Sequence, residues 1–151
     1  MNEVKKPTEL PATVAFRLGT VGSVVADRFA ARIADLDLKP KHAGLMTALS
    51  HGEAASQQEL AKRLGVAPSL VVALADHLER LGAIARVRDP EDRRRQVLTL
   101  TDHGDELLAA CERAARELDG ELTAGLRAEE RTAFLRVLGV LAAEAGLPTG
   151  E

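Results

Sequence analysis

The 151-residue sequence contains no tryptophan, no tyrosine and only three phenylalanines, so leucine, valine and alanine must fill any hydrophobic core. A core of such aliphatic side chains favours packed helices. Cysteine is almost absent too. The single Cys111 excludes an intrachain disulfide and a metal site built from paired thiolates, which agrees with a reducing, cytoplasmic location.

Long apolar runs are also missing. The N-terminus lacks the apolar centre of a signal peptide, and the longest apolar stretch, residues 137–143, is far too short to cross a bilayer. We therefore expect a soluble protein with no membrane partner. The length leaves room for one domain with helical arms.

Charge is distributed unevenly along the chain, although the net charge is only -3. Residues 102–151 carry five basic and eleven acidic side chains, whereas residues 57–101 carry eight basic and six acidic ones. Between residues 80 and 95, six arginines stand against three acidic residues. A basic segment beside an acidic one predicts a protein that presents one face to an anion.

Apolar residues spaced by three and four predict a first long helix from Pro11 to about residue 37. Its stripe consists of Val14, Leu18, Val21, Val25, Phe29, Ile33 and Leu36. Pro40 suits the first turn of a second helix, which should end near Gly52. Ser56 and Glu59 have the spacing of a capping box, which predicts the start of a third helix.

The third helix is short, because Gly65 follows it and Pro68 opens a fourth helix with an apolar stripe from Val71 to Leu81. After Gly82, residues 83–88 and 95–100 alternate with period two and predict a hairpin around a charged turn, DPEDRR. Thr101 or Asp102 then caps a fifth helix, and a sixth follows before Gly146.

Helix, glycine turn, helix and a hairpin with a basic tip form the order of a winged helix-turn-helix. The second helix of such a unit can enter the major groove of DNA, and an arginine at the tip can reach the minor groove. We therefore predict a mainly α fold with a small β-hairpin wing. Residues 1–39 and 102–151 are predicted dimerisation helices around a DNA-binding domain, 40–101, in one continuous fold.

The segment QQELAKRLGVAPSLVVALADHLERLGAI, followed by DPEDRRRQVLTLTDHG, resembles the MarR family of bacterial transcription regulators. The likeness covers most of the chain, and the wing is its most specific part: DPEDRR, a strand ending in LT, and then a glycine. The resemblance implies a homodimer with interleaved terminal helices. It also implies a repressor that binds pseudo-palindromic double-stranded DNA and releases it when a small-molecule effector occupies a cleft.

The resemblance also assigns roles to single residues. Asp89 and Arg93 match the pair that braces the wing, and Arg94 matches the arginine that enters the minor groove. The backbone N–H groups at Ser56 and Gln57 could hold a phosphate at a helix N-terminus. The whole predicted DNA-binding set is Ser56, Gln57, Pro68, Ser69, Leu70, Val72, Ala73, His77, Arg93, Arg94 and Arg95.

The recognition helix departs from the family pattern. Family members usually have Thr, Thr and Arg where this chain has Leu70, Val72 and Ala73. Two readings stay open: apolar contacts with thymine methyl groups, or specificity from the wing and from DNA shape. We also expect Asp76 to orient Arg80.

An effector cleft would be bounded by helices one, two and five, and its predicted lining residues are Arg17, His42 and Met46. Arg17 would supply the counter-charge for a carboxylate. The possible metal ligands lack HxxxH or CxxC spacing, so we predict no metal and no cofactor; they are His42, His51, His77, His103 and Cys111. We expect Cys111 to pack in the core.

Three other function classes would each need a further feature. A zinc-responsive regulator of the same fold would need some of the histidines to converge, and a protein-interaction module would use the hairpin against a protein partner. An enzyme is not predicted, because no nucleophile–base order, glycine-rich phosphate loop or pair of inward carboxylates is present.

Overall fold

The structure, a computed structural model, describes residues 7–51 and 54–150. Along these residues the helices are α1 (Val14–Ile33), α2 (Pro40–Ser50), α3 (Gln57–Leu64), α4 (Pro68–Arg80), α5 (Asp102–Leu122) and α6 (Ala128–Glu144), and the strands are β1 (Ile84–Arg88) and β2 (Gln96–Leu100). Short 3-10 turns, Leu10–Ala12 and Ala34–Leu36, flank α1. The prediction of a mainly α fold with a β-hairpin is confirmed. The predicted stop at Gly52 lies outside the described residues.

Local signals in the sequence set the helix ends around the α3–α4 pair. The Ser56 hydroxyl accepts a hydrogen bond from the Glu59 N–H, and the Glu59 carboxylate accepts one from the Ser56 N–H, as a capping box requires. Gly65 ends α3 at a φ of +64°, in the left-handed region that favours glycine. Pro68 occupies the first turn of α4, where its missing N–H costs no helical hydrogen bond.

The wing is a two-stranded antiparallel sheet whose register runs from the pair Ile84–Leu100 to the pair Arg88–Gln96. A third segment joins it at one point. The Leu98 N–H donates to the Ala55 carbonyl at 2.8 Å, and the Ala55 N–H donates to the Leu98 carbonyl at 3.3 Å. This bridge, which ties the start of α3 to β2, has no signal in the local sequence.

The start of α5 packs tightly against the base of the wing. A Cβ atom at Gly104 would lie 2.1 Å from the Ala83 carbonyl oxygen and 2.7 Å from Leu100 Cδ1. The Gly104 N–H donates to the Thr101 hydroxyl at 3.0 Å, so Thr101 caps this helix. Glycine at this position therefore lets the helix approach the hairpin more closely than any other residue would allow.

The chain divides into two compact units, one ending at Ala115 and the other beginning at Arg116. The first unit has an aliphatic core without aromatic residues at its centre; the side chains most completely removed from solvent are Ile33, Leu45, Met46, Leu60, Val71, Leu78 and Leu98. On α1 of this unit, several large apolar side chains stay exposed, namely Val14, Phe16, Leu18, Val21 and Val24.

The second unit buries Leu118 and Thr123, and its helix α6 starts with Arg127 paired to Glu130 at 2.9 Å. On α6, the exposed large apolar side chains are Phe134, Leu135, Val137, Val140 and Leu141. Over the described ranges, none of the helices is both long enough and apolar enough for a membrane span. The predicted division at residues 39 and 101 stays a prediction.

Candidate nucleic-acid interface

Helices α3 and α4 contact each other across the Gly65 turn, as the two helices of a helix-turn-helix do. Helix α4 is held by a buried stripe of Val71, Leu74, Ala75 and Leu78. Because these residues fill one side of the helix, the other side is left for a ligand.

The free side of α4 carries few groups that could read a base by hydrogen bonding. Pro68, Ser69, Val72 and Ala73 are exposed, and Val72 keeps 41% of its surface. Leu70 differs from this set, because it is only partly exposed and packs against the core. The predicted reading residues thus offer one hydroxyl, at Ser69, and otherwise apolar surface.

Two acidic side chains on α4 are held by a single arginine of the wing. Arg86 on β1 donates to the Asp76 carboxylate at 2.7 Å and lies 3.2 Å from Glu79 Oε2. The hydrogen bond to Asp76, and then the charge of Glu79, raise the pKa of Arg86. This corrects the expectation that Asp76 orients Arg80.

Sequence reasoning missed Arg86, although a signal was present. Acidic residues at positions 76 and 79 share one helix face that is predicted to meet phosphates, and such a face needs a counter-charge. The arginine of the next strand provides it. The carboxylates of Asp76 and Glu79 are therefore partly neutralised before any polyanion approaches.

The tip of the wing presents Arg93 and Arg94 to solvent. The backbone of this turn is fixed by side chains: the Asp92 carboxylate accepts from the Arg94 N–H at 3.0 Å, and the Asp89 carboxylate accepts from the Glu91 N–H at 2.9 Å. Both guanidinium groups extend from a turn of defined shape, which suits insertion into a groove.

The wing is braced by Arg95, and not by the predicted Arg93. Arg95 lies between two carboxylates: it donates to Glu59 at the start of α3, and its Nε is 3.8 Å from Asp89 Oδ2. The physical reason is strand pairing, because the Asp89 N–H donates to the Arg95 carbonyl at 2.9 Å and so sets these two residues side by side. Arg95 is thereby removed from the set of arginines that are free to meet DNA.

The charge on Glu59 is favoured by the same contacts. The hydrogen bond from the Ser56 N–H, and then the one from Arg95, lower the pKa of Glu59. The hydrogen bond to Glu59 correspondingly raises the pKa of Arg95. Ser56 and Gln57 lie together at this helix start, half-buried, with the Ser56 hydroxyl already used by the cap.

His77 does not lie on the predicted DNA-reading face. Its Nε2 is 2.6 Å from the Asp37 carbonyl oxygen, and its ring stacks on His42 with centroids 4.3 Å apart. The physical reason is its place on α4, where the side chain is half-buried against the junction of α1 and α2. The prediction that His77 contacts DNA is therefore corrected.

A cavity of about 940 Å³ opens at this junction in the first unit. Its walls include apolar residues of α1 and α4 and the two rings of His42 and His77. Its charged lining residues are Lys39, Lys41 and Arg80, which are cationic, and Asp37, which is acidic. Of the three predicted effector-cleft residues, His42 alone lines it. Met46 is fully buried in the core, and Arg17 is exposed on α1 with its Nε donating to the Pro11 carbonyl at 3.0 Å.

The remaining candidate ligands are not gathered into a metal site. Across residues 7–51 and 54–150, no group of three or more histidine, cysteine, aspartate or glutamate residues could hold a metal ion. Cys111 is 2% exposed in the core, and burial raises the pKa of its thiol. A redox-sensing cysteine needs the opposite, an exposed thiol with a lowered pKa.

Comparison with known proteins gives a consistent result. The model of the MarR family matches residues 36–95. An HTH-type transcriptional regulator of Bacillus subtilis, YdgJ, is 29% identical over 127 residues, which are 84% of this chain and 76% of that protein. In Mycobacterium tuberculosis, the HTH-type transcriptional repressor Rv2887 is 29% identical over 133 residues, 88% of this chain and 96% of that protein.

Solved structures extend the likeness. The transcriptional repressor CouR bound to a 23-mer DNA duplex is 31% identical, has a TM-score of 0.76, and covers 93% of this chain and 99% of its own. CouR bound to p-coumaroyl-CoA is 29% identical, with a TM-score of 0.71 and coverages of 91% and 97%. Rv2887 in complex with DNA is 28% identical, with a TM-score of 0.74 and coverages of 85% and 97%.

Proposed function

This chain belongs to the MarR family, and we propose that it is a transcriptional repressor that binds duplex DNA through α4 and the wing. The observation that carries the proposal is the pair of exposed arginines, Arg93 and Arg94, on a turn of fixed shape beside a helix-turn-helix. The clamp of Arg86 on Asp76 and Glu79 supports it, because unpaired carboxylates on α4 would repel phosphates.

We assign α4 to the major groove and the wing tip to the minor groove. Ser69 and Val72 would face base edges, and Val72 suits contacts with thymine methyl groups. Ala73 is exposed at the border of this face, because it also lines the cavity together with His77. Arg94 would enter the narrow minor groove, where the negative potential is strongest. The backbone at Ser56 and Gln57 would meet a phosphate, which fixes the register of the complex without reading sequence.

We propose that the active form is a homodimer. The exposed apolar side chains of α1, such as Leu18 and Val21, form a surface that a monomer would leave in water. Helix α6 has an apolar surface of its own, with Phe134 and Val140. A two-fold dimer would present two recognition helices about 34 Å apart, matching a pseudo-palindromic site.

We propose that the cavity at the α1–α2 junction holds the effector. Three cationic lining residues (Lys39, Lys41 and Arg80) stand against one acidic residue, Asp37, and together with the apolar walls they fit a ligand that joins an acidic group to an apolar body. The CouR repressor bound to p-coumaroyl-CoA is one relative with such a ligand. A repressor of this kind needs no catalytic residue, and we propose that it acts in the cytoplasm, where the promoter DNA of a bacterial regulator lies.

Fluorescence anisotropy with labelled DNA from the upstream region of its own gene tests DNA binding. We expect tight, strongly salt-dependent binding, because phosphate contacts release counterions. Arg94→Ala should cost about 1–3 kcal/mol of binding free energy and reduce the salt slope by about 1. Glu91→Ala, at the same exposed turn, is the matched control and should not weaken binding.

A wild-type protein that binds no DNA even at low salt would overturn the proposal, and would leave a protein-interaction module as the function of the hairpin. The effector site is tested separately. p-Coumaroyl-CoA and free p-coumarate are the first probes, added to the preformed complex. Release of DNA by either probe, weakened in Arg80→Ala, supports the site; equal release from both proteins contradicts it.

A further inference from the structure

One hydrogen bond joins the recognition helix to a part of the chain forty residues earlier. His77 Nε2 lies 2.6 Å from the Asp37 carbonyl oxygen. A carbonyl oxygen can only accept, so Nε2 must carry the hydrogen, whether the ring is neutral or charged. The bond therefore crosses from α4 to the turn between α1 and α2.

The acceptor is held in an unusual backbone conformation. Asp37 has a φ of +56°, and among the described residues it is the one position other than glycine in the left-handed region. Aspartate tolerates this region better than most residues, because its short polar side chain can interact locally. The left-handed turn sets the direction of the Asp37 carbonyl, and its carboxylate lies 3.7 Å from the same His77 nitrogen.

The ring of His77 is also held from the other side. It stacks on His42 with an interplanar angle of 18°. His42 is itself fixed, because its Nδ1 accepts a hydrogen bond from the Lys39 N–H at 2.9 Å in the first turn of α2. His77 is therefore bound by a stacked ring on one side and by a directed hydrogen bond at its edge.

These contacts restrict the rotation of α4 about its own axis. The buried side chains of α4 are aliphatic, and contacts of that kind have little directional preference. Two directional contacts add to them: the hydrogen bond from Arg86 to Asp76 on the wing side, and the hydrogen bond from His77 to the Asp37 carbonyl. A hydrogen bond is directional, and it weakens steeply when its angle changes. Ala73 lies one helical turn before His77, so the angle at which α4 presents Ala73 depends on where His77 is held.

We propose that His77 is a positioning residue for DNA binding: its bond to the Asp37 carbonyl, together with the contacts of Arg86, sets the rotation of α4 in the groove. The inference rests on the proposed function, since it needs α4 to bind DNA. It gives His77 a role distinct from base contact. Because His77 also lines the cavity at the α1–α2 junction, an occupant there would lie against the group that orients the recognition helix.

Two substitutions of His77 distinguish the role of its N–H donor from the role of its stacked ring. His77→Phe keeps a ring for stacking and removes the donor, and His77→Gln keeps an N–H donor near the place of Nε2. We expect His77→Phe to weaken promoter binding about fivefold at fixed salt, the effect of losing one ordinary hydrogen bond. His77→Gln should stay within about twofold of wild type, and His103→Phe, at an exposed histidine of α5, should leave binding unchanged.

A panel of promoter variants, each with one base pair changed, separates positioning from base reading. If His77 sets the rotation of α4, His77→Phe should lower the discrimination at all base pairs that face α4 and leave it unchanged at those that face the wing. A loss of discrimination confined to one base pair would instead show a direct contact and overturn the proposal. Equal affinities of His77→Phe and wild type would also overturn it, while leaving DNA binding itself intact. A wild type that does not bind would overturn both.

Asp37→Gly separates the carboxylate of Asp37 from its carbonyl without a change in α4. Glycine adopts a φ of +56° freely, so this variant keeps the carbonyl in place and removes only the carboxylate. We expect wild-type affinity from it. A loss as large as that of His77→Phe would assign the effect to the carboxylate and contradict the role of the carbonyl. If circular dichroism at the assay temperature shows that His77→Phe does not fold, His77→Asn takes its place, because its shorter amide cannot reach the Asp37 carbonyl. His77→Asn should bind more weakly than His77→Gln, and equal affinities of the two would overturn the proposal.

Discussion

The recognition helix and the wing expose side chains of opposite chemical character. The outer face of α4 has apolar or small side chains, and its two carboxylates are bound by Arg86. The wing tip exposes two guanidinium groups, Arg93 and Arg94. Direct hydrogen-bonded readout needs donors and acceptors that α4 largely lacks, so most of the electrostatic attraction should come from the wing. In this chain the wing should therefore supply most of the affinity, and α4 a surface whose shape fits the major groove.

A substitution that pushes the whole wing away from α5 should have the largest effect on free energy. Gly104→Ala would place a methyl group 2.1 Å from the Ala83 carbonyl oxygen, so α5 or the hairpin must shift. We expect the free energy of unfolding to fall by about 1–3 kcal/mol, measured by urea denaturation. Gly120→Ala is the matched control in the same helix. Its Cβ would meet nothing within 4 Å, so the change should stabilise the protein by about 0.8 kcal/mol.

If Gly104→Ala does not lower the free energy of unfolding relative to wild type, the base of the hairpin can move away from the added methyl group at little cost. The wing would then be a loosely held element, and the contrast with the firmly packed α4 would have to be redrawn.

Releasing the acidic residues of α4 should have the next largest effect. Arg86→Ala leaves Asp76 and Glu79 facing the phosphates, and we expect promoter affinity to fall about tenfold, ~1.4 kcal/mol. Adding Asp76→Asn and Glu79→Gln to the same variant should restore most of the binding. No restoration would show that Arg86 itself binds DNA, and that α4 and the wing are less different than their exposed side chains indicate.

A smaller effect should come from the apolar face of α4. Val72→Ala removes two methyl groups from an exposed position, and we expect affinity to fall about threefold, ~0.7 kcal/mol, with an unchanged salt slope. Arg94→Ala, by contrast, should change the slope. If Val72→Ala instead binds every promoter variant with the affinity of wild type, the wing and DNA shape supply the specificity, and not apolar contacts of α4 with thymine methyl groups.

The smallest effect should be a pH dependence of stability. Burial, and then the charges of His77 and Lys39, lower the pKa of His42 in the folded protein, while Asp37 acts in the opposite direction. The unfolded chain therefore takes up this proton first. The contribution of His42 is fully present above about pH 6.5 and is lost as the pH falls towards the lowered pKa.

Urea denaturation between pH 7.5 and pH 5.0 measures this contribution. His42→Asn keeps an acceptor near the place of Nδ1 and does not titrate, so its stability should fall less over that range than wild type does. The difference between the two proteins cannot exceed about 1.4 kcal/mol per pH unit for one proton. Parallel curves would show that other groups cause the acid dependence.

The sequence predicted those elements whose ends are set by residues close together in the chain. Pro40, Ser56 and Pro68 start helices, and Gly65 and Gly82 end them, because capping and left-handed turns depend on residues only a few positions apart. The hairpin followed from its period-two alternation. The fold class and the family could both be recognised from these segments and from the wing motif.

The pairings that brace the site could not be predicted in the same way. The Arg95–Glu59 contact joins residues 36 positions apart, and the His77–Asp37 bond joins residues 40 apart. Periodicity says which face of a helix is buried, but not which charged group on another element lies opposite. The bracing role of Arg93 was implied by the resemblance to the family, and in this chain Arg95 has that role. His77 was assigned to DNA from its place near the edge of the helix face opposite the core stripe, which does not show that Asp37 lies against it.

The contacts of Arg95 have a further consequence for the choice of DNA. This arginine bridges Glu59 at the start of α3 and Asp89 in the wing. The distance between these two DNA-contacting elements is therefore fixed by the protein before DNA binds. Promoters whose groove widths already match that distance would be bound without distortion. Stiffer or wider sequences would have to deform, and so would be disfavoured even where no side chain touches a base.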